Sequence, residues 1–117
     1  MTQFAQNYEP KCMAPYQWTP LGYQQISATT LGSATNLSPP ANATFALIEV
    51  EGVAGTDSVR WRDDGTAPTS TVGMLVDATN ASTTSPQPAP FQYSGDLTKI
   101  QFIKAAGSPI LNVSFYL

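Results

Sequence analysis

Apolar and polar side chains alternate with a period of two along several stretches of this chain. The clearest is at the C-terminal end, where Leu111, Val113, Phe115 and Leu117 interleave with Asn112, Ser114 and Tyr116. A period of two is the repeat of an extended strand, so one face of this segment is expected to enter a core. Thr44–Glu51 carries the same pattern, with Ala46, Ile48 and Val50 on one face and Phe45, Leu47, Glu49 and Glu51 on the other. Shorter strand candidates lie at Gln25–Leu37, Asp57–Arg62, Val72–Val76, Phe91–Tyr93 and Lys99–Ile103. Between them stand turn formers: Ser38-Pro39-Pro40-Ala41-Asn42, Asp63-Asp64-Gly65-Thr66 and Ser94-Gly95-Asp96. These supply preset or positive φ and local side-chain bonds that end a strand. No stretch has a helical period. The expected fold is all-β: a single antiparallel β-sandwich or small barrel.

The segment 44–65 invites a specific pairing. If Thr44–Glu51 and Asp57–Arg62 form a hairpin closed by Gly52–Thr56, one register sets Glu51 opposite Arg60, Glu49 opposite Arg62 and Val50 opposite Trp61. One face is then charged and the other apolar, as a half-buried antiparallel pair requires. Glu49, Glu51, Arg60 and Arg62 are therefore expected to form structural ion pairs. Ile48, Val50, Trp61, Leu111, Val113 and Phe115 are the expected core.

Residues 1–24 lack this alternation. Pro10, Pro15 and Pro20 recur at five-residue intervals and exclude a helix or a central strand. Phe4, Tyr8, Tyr16, Trp18 and Tyr23 lie among and around them. The segment is expected to be an extended N-terminal arm preceding a sandwich domain at 25–117. At about 3.1 Å per residue such an arm reaches about 75 Å. Its aromatics offer large contact area with few torsions to freeze, the property interfaces favour; wrapping its own domain is the alternative use. The stretch Asp77–Pro90 has no large apolar residue and is expected to be a long surface loop.

Composition narrows the chemistry. A length of 117 residues allows one domain and no second core. Charged residues make up only 11%, so the surface must be built of neutral polar side chains and backbone, which suits burial against a neighbour. A formal charge of −3 with five Lys and Arg speaks against a nucleic-acid partner, which needs a clustered basic face. The chain has no His, which removes Ser-His and Cys-His nucleophiles. The single Cys12 allows no internal disulfide and no Cys/His zinc site, and is expected to be a small apolar contact. The paired carboxylates Glu49 with Glu51 and Asp63 with Asp64 are the remaining catalytic candidates. Arginine partners would lower the pKa of the Glu49–Glu51 pair, opposite to what a general acid needs. Asp63-Asp64-Gly65 lacks the spaced ligands of a calcium loop, and no phosphate-binding glycine motif occurs. Neither enzyme activity, a cofactor nor a metal is expected. The N-terminus carries no signal-peptide pattern, no apolar run is long enough to span a membrane, and the Asn-X-Ser/Thr triplets at Asn36, Asn42, Asn80 and Asn112 are expected to be unmodified.

The run VRWRDDGTAPTSTVG from Val59 to Gly73, the turn Tyr93-Ser94-Gly95-Asp96-Leu97 and the close LNVSFY from Leu111 to Tyr116 resemble a group of small tailed-bacteriophage virion proteins. The resemblance covers roughly residues 30–117. It implies a virion structural role without catalytic residues, with the protein assembled in the host bacterial cytoplasm. The expected function is capsid decoration or cement, with the major capsid protein or other virion proteins as partners and a homo-oligomeric state. The alternative is a tail, fibre or collar module that binds a host receptor or surface glycan through the Asp77–Pro90 loop and Tyr93. A ring-forming head-completion or tail component is a third reading. The arm and the long loop depart from the family pattern.

Overall fold

A computed structural model of the chain describes residues 17–78 and 90–117. Eight strands and one short 3-10 turn make up the fold: β1 (Pro20–Ile26), η1 (Thr30–Gly32), β2 (Thr35–Asn36), β3 (Phe45–Glu51), β4 (Ser58–Arg62), β5 (Met74–Asp77), β6 (Phe91–Tyr93), β7 (Gln101–Ala106) and β8 (Ile110–Tyr116). They form two four-stranded sheets, ordered β1-β8-β3-β6 and β2-β7-β4-β5, with every pair antiparallel. Every connection along the chain passes from one sheet to the other except the β4–β5 link. This winding order is that of a jelly roll, the double-sheet solution to the problem of exposed strand edges. The expected antiparallel sandwich is therefore observed.

The alternating segments form the core as their pattern requires. Ala46, Ile48 and Val50 of β3 and Leu111, Val113 and Phe115 of β8 are buried, with Val59 and Phe102 in the second sheet and Ile100 just before β7 in the same core cluster. Small and large residues complement each other across the β3–β8 ladder, where Ala46 pairs with Phe115. Trp61 is half-buried, packed against the core rather than enclosed by it, with its ring edge-on to Tyr93 at 5.9 Å. Leu31 in η1 and Leu37 are buried, and both belong to the same core cluster. The Ser27 side chain accepts from the Thr30 N–H at 3.3 Å, which starts this turn and ends β1.

The structure corrects three expectations. First, β3 and β4 do not form a hairpin. Both edges of β3 are occupied, by β8 and β6, while β4 lies between β7 and β5 in the other sheet. The turn at 52–57 carries the chain across the sandwich. Alternation fixes which side chains face the core but leaves the neighbouring strand unspecified, so the charged-face register was one of several pairings the pattern allowed. Second, the boundary expected at residue 24 falls inside β1. Pro20 opens this strand, Tyr23 pairs with Ser114, and Thr19 exchanges backbone bonds with Leu117 at 3.2 and 2.9 Å. Proline is tolerated because β1 is an edge strand and Pro20 is its first residue. Third, Gln25–Leu37 is not one strand, since η1 interrupts it. Two further strands are shifted, to Met74–Asp77 and Gln101–Ala106. Phe4, Tyr8, Cys12, Tyr16 and positions 79–89 of the long loop lie outside the described residues.

Candidate functional site

The outer face of the first sheet brings the arm-proximal aromatics onto the domain itself. Trp18 sets its ring edge against Phe45 at 5.0 Å and Tyr116 at 5.5 Å, and those two stack on each other at 5.3 Å. It is still 47% exposed, so a large part of the indole is open to a second contact. Tyr23, 64% exposed, donates its hydroxyl to Asn112 Oδ1 at 2.6 Å. Asn112 is a hub: its Oδ1 also accepts from Gln25 Nε2 at 2.9 Å, and its Nδ2 donates to Glu49 Oε1 at 3.2 Å and Glu51 Oε1 at 3.0 Å. Both amide hydrogens and both oxygen lone pairs are thereby used. Leu47, Glu49, Tyr23 and Ser114 line a shallow cavity of about 200 Å³ on this face.

The expected ion pairs are replaced by other partners. Glu49 and Glu51 meet an amide instead of guanidinium groups. Arg60 donates through Nε to the Ser70 carbonyl at 3.2 Å and through Nη1 to the Gly73 carbonyl at 2.8 Å, pinning the 66–73 loop onto β4. Arg62 pairs with Asp64, donating through Nε to Oδ1 at 3.1 Å and through Nη2 to Oδ2. The hydrogen bond from Arg62 is the main reason the Asp64 carboxyl is lowered to about 2, and the same bond raises the guanidinium pKa.

Asp57 is a structural centre that the sequence pattern did not reveal. Its Oδ2 accepts from the Val53 N–H at 2.6 Å, and its Oδ1 from the Ser108 N–H at 2.8 Å. Its own carbonyl accepts from the Ala78 N–H at 2.9 Å. One residue thus ties the β3–β4 turn, the β7–β8 turn and the end of β5. The two backbone donors, Val53 first, hold its carboxyl below the usual carboxylate range. Gly107 makes this possible. It sits at φ 69°, and a Cβ there would overlap Asp57 Oδ1 and approach the Thr56 carbonyl to 2.6 Å.

A second opening lies beside β4. An open cavity of about 390 Å³ is lined by Trp61, Arg62, Asp63 and Asp64 from one side and Val72, Gly73 and Met74 from the other. The two groups converge because β4 and β5 pair with Trp61 opposite Met74. Gly73, at φ 142°, forms part of the wall; a Cβ there would come within 3.1 Å of both Arg60 Cβ and the Trp61 carbonyl. Asp63 is held by Tyr93, whose hydroxyl donates to its Oδ2 at 2.7 Å. Burial, with this bond and the Asp63 charge, pushes the Tyr93 phenol up to about 12, so it remains a donor at neutral pH. Val72 and Met74 along the rim are each more than half exposed. The sequence marked the run from Val59 to Gly73 as distinctive, but only the β4–β5 register joins its two ends into one site.

Among the described residues no group of three or more acidic or sulfur side chains is placed to hold a metal, and no helix is long and apolar enough to cross a membrane. The jelly-roll topology by itself hosts unrelated functions and selects none. No family model, curated protein or solved structure matches this chain.

Proposed function

We propose that this chain is a non-enzymatic bacteriophage virion structural protein that decorates or cements the capsid. The observation that carries this reading is the placement of apolar surface at two opposite edges of a rigid sandwich. Trp18, Tyr23 and Leu117 are about half exposed or more beside β1, and Val72, Met74 and Leu75 are similarly exposed beside β5. The Trp61–Tyr93 contact sets β6 over β4, so the β5 edge lies away from β1. A cement needs this arrangement: separate contact surfaces on one stiff body, each weak, adding through effective concentration. Charged residues at 11% leave such edges little solvation to lose on docking. The partners are the major capsid protein or other virion proteins, together with further copies of the same chain.

The test is attachment of purified protein to undecorated capsids. Trp18→Ala at the β1 edge is expected to leave the sandwich folded and to weaken attachment. Leu75→Lys at the opposite edge is expected to weaken attachment without lowering the melting temperature. Wild-type attachment by both variants would refute the reading. The open cavity beside β4 favours a second reading, a tail, fibre or collar module that binds a host-surface glycan.

A further inference from the structure

The geometry points to the cavity beside β4 as a binding site for a neutral pyranose sugar, with Trp61 as its platform and Arg62, Asp63 and Asp64 as its hydrogen-bonding rim. The inference rests on the second reading in requiring a saccharide on the host surface, but the site is defined by its own chemistry. The cavity, at about 390 Å³, falls in the size range of small-ligand sites, roughly 300–1,000 Å³. Its apolar portion is a half-buried indole with Val72 and Met74 beside it. An indole presents a flat apolar face with a polar edge, which suits a ring that is apolar on one face and hydroxylated at its rim.

The polar groups are held before any ligand arrives. Tyr93 fixes Asp63 through one carboxylate oxygen, leaving Oδ1 to accept from a ligand. Arg62 and Asp64 orient each other through two parallel bonds. A guanidinium bound through Nε and one Nη retains Nη1 as a donor. The rim therefore offers acceptors and a donor side by side, matching vicinal hydroxyls, each of which can donate and accept.

Charge selects among ligands. Two carboxylates and one guanidinium leave the rim with a formal charge of −1, unfavourable to phosphate, sialate or other anionic sugars. The carboxylates also make the site a poor match for a purely apolar side chain, which would desolvate them without replacing their hydrogen bonds.

The experiment uses the full chain and ligand-observed saturation-transfer NMR. The probes are the methyl pyranosides of glucose, galactose and mannose and N-acetylglucosamine, with N-acetylneuraminic acid as the anionic control. At least one neutral pyranoside is expected to bind in the millimolar range, with the Trp61 indole N–H resonance shifting and that of Trp18 unmoved. Asp64→Ala, at an exposed position, is expected to weaken binding at least tenfold while a single cooperative melting transition is retained; Trp61→Phe, which keeps an aromatic ring against the core, should weaken it comparably. Three results would each overturn the inference: no transfer to any neutral sugar at tens of millimolar, unchanged binding in Asp64→Ala, or preference for the anionic sugar. Adsorption to host cells in the presence of the bound sugar tests the other premise. Sugar binding without competition for adsorption refutes the receptor reading and leaves the site standing.

Discussion

Replacing Gly107 by Ala tests the close approach of the β7–β8 turn to Asp57. Gly107 sits at φ 69°, where an L side chain costs about 1–2 kcal/mol. The new methyl would also overlap Asp57 Oδ1 and lie 2.6 Å from the Thr56 carbonyl, so one of the turns must move. Overpacking of this kind costs about 1–3 kcal/mol. The expected total is about 2–5 kcal/mol, a large share of the 5–15 kcal/mol typical of a folded domain. Gly55 supplies the control. It has a similar φ of 79° but nothing within 4 Å of its hypothetical Cβ, so Gly55→Ala should show only the backbone cost of about 1–2 kcal/mol. Urea unfolding of the two variants, analysed by linear extrapolation with a common slope, reads the difference directly. If Gly107→Ala proves no less stable than Gly55→Ala, the joining of three loops through Asp57 is not the constraint described.

The remaining predictions concern charge. Because Glu51 and Arg60 lie in different sheets, a double-mutant cycle between them is expected to show no coupling beyond error; a measurable favourable coupling would restore the hairpin register. The carboxyls of Asp57, Asp64 and Asp96 are all lowered in the folded state, that of Asp96 first by its bond from the Thr98 hydroxyl. Their contribution to stability is therefore complete above the unfolded carboxylate pKa of about 3.9 and is lost as pH falls through the folded values. Melting temperature should decline from pH 4 toward pH 2, where Asp64 titrates at about 2, and Asp57→Asn should flatten that decline. Tyr93 carries the opposite sign. Its phenol is raised from 10.0 to about 12, so the stability it lends is complete below pH 10 and is lost as pH rises toward 12. Phenolate absorbance should show a late-titrating component near pH 12 that disappears in Tyr93→Phe.

Strand faces were legible in the sequence where the two sides of a strand differ in polarity. For β3 and β8 the alternation identified each buried side chain, because both strands are central in their sheet and buried on one face only. Strand partners were not legible in the same way. Glu49 and Glu51 matched Arg60 and Arg62 by charge, but they equally satisfy the amide hydrogens of Asn112, a neutral donor that carries no charge signal. The size match of Ala46 with Phe115 was the available clue to the true neighbour. β1 escaped detection because an edge strand buries little: in PLGYQQI only Ile26 is fully buried. The Asp57 junction and the cavity beside β4 depend on residues far apart in sequence, and no local pattern encodes such meetings.

The position of β8 between β1 and β3 also dictates when the molecule can form. The hydroxyl of Tyr23 bonds to a residue 89 positions later, and the first sheet has no continuous ladder until β8 is inserted. Before that moment β1 and β3 each present an unpaired edge, the template on which other chains aggregate. Loop closure over such spans is slow, with all-β topologies of this kind folding in milliseconds to seconds. Closure of the first sheet therefore waits on β8, Ile110–Tyr116, reaching the gap between β1 and β3. The insertion of β8 is thus the step that replaces two open strand edges with a continuous sheet.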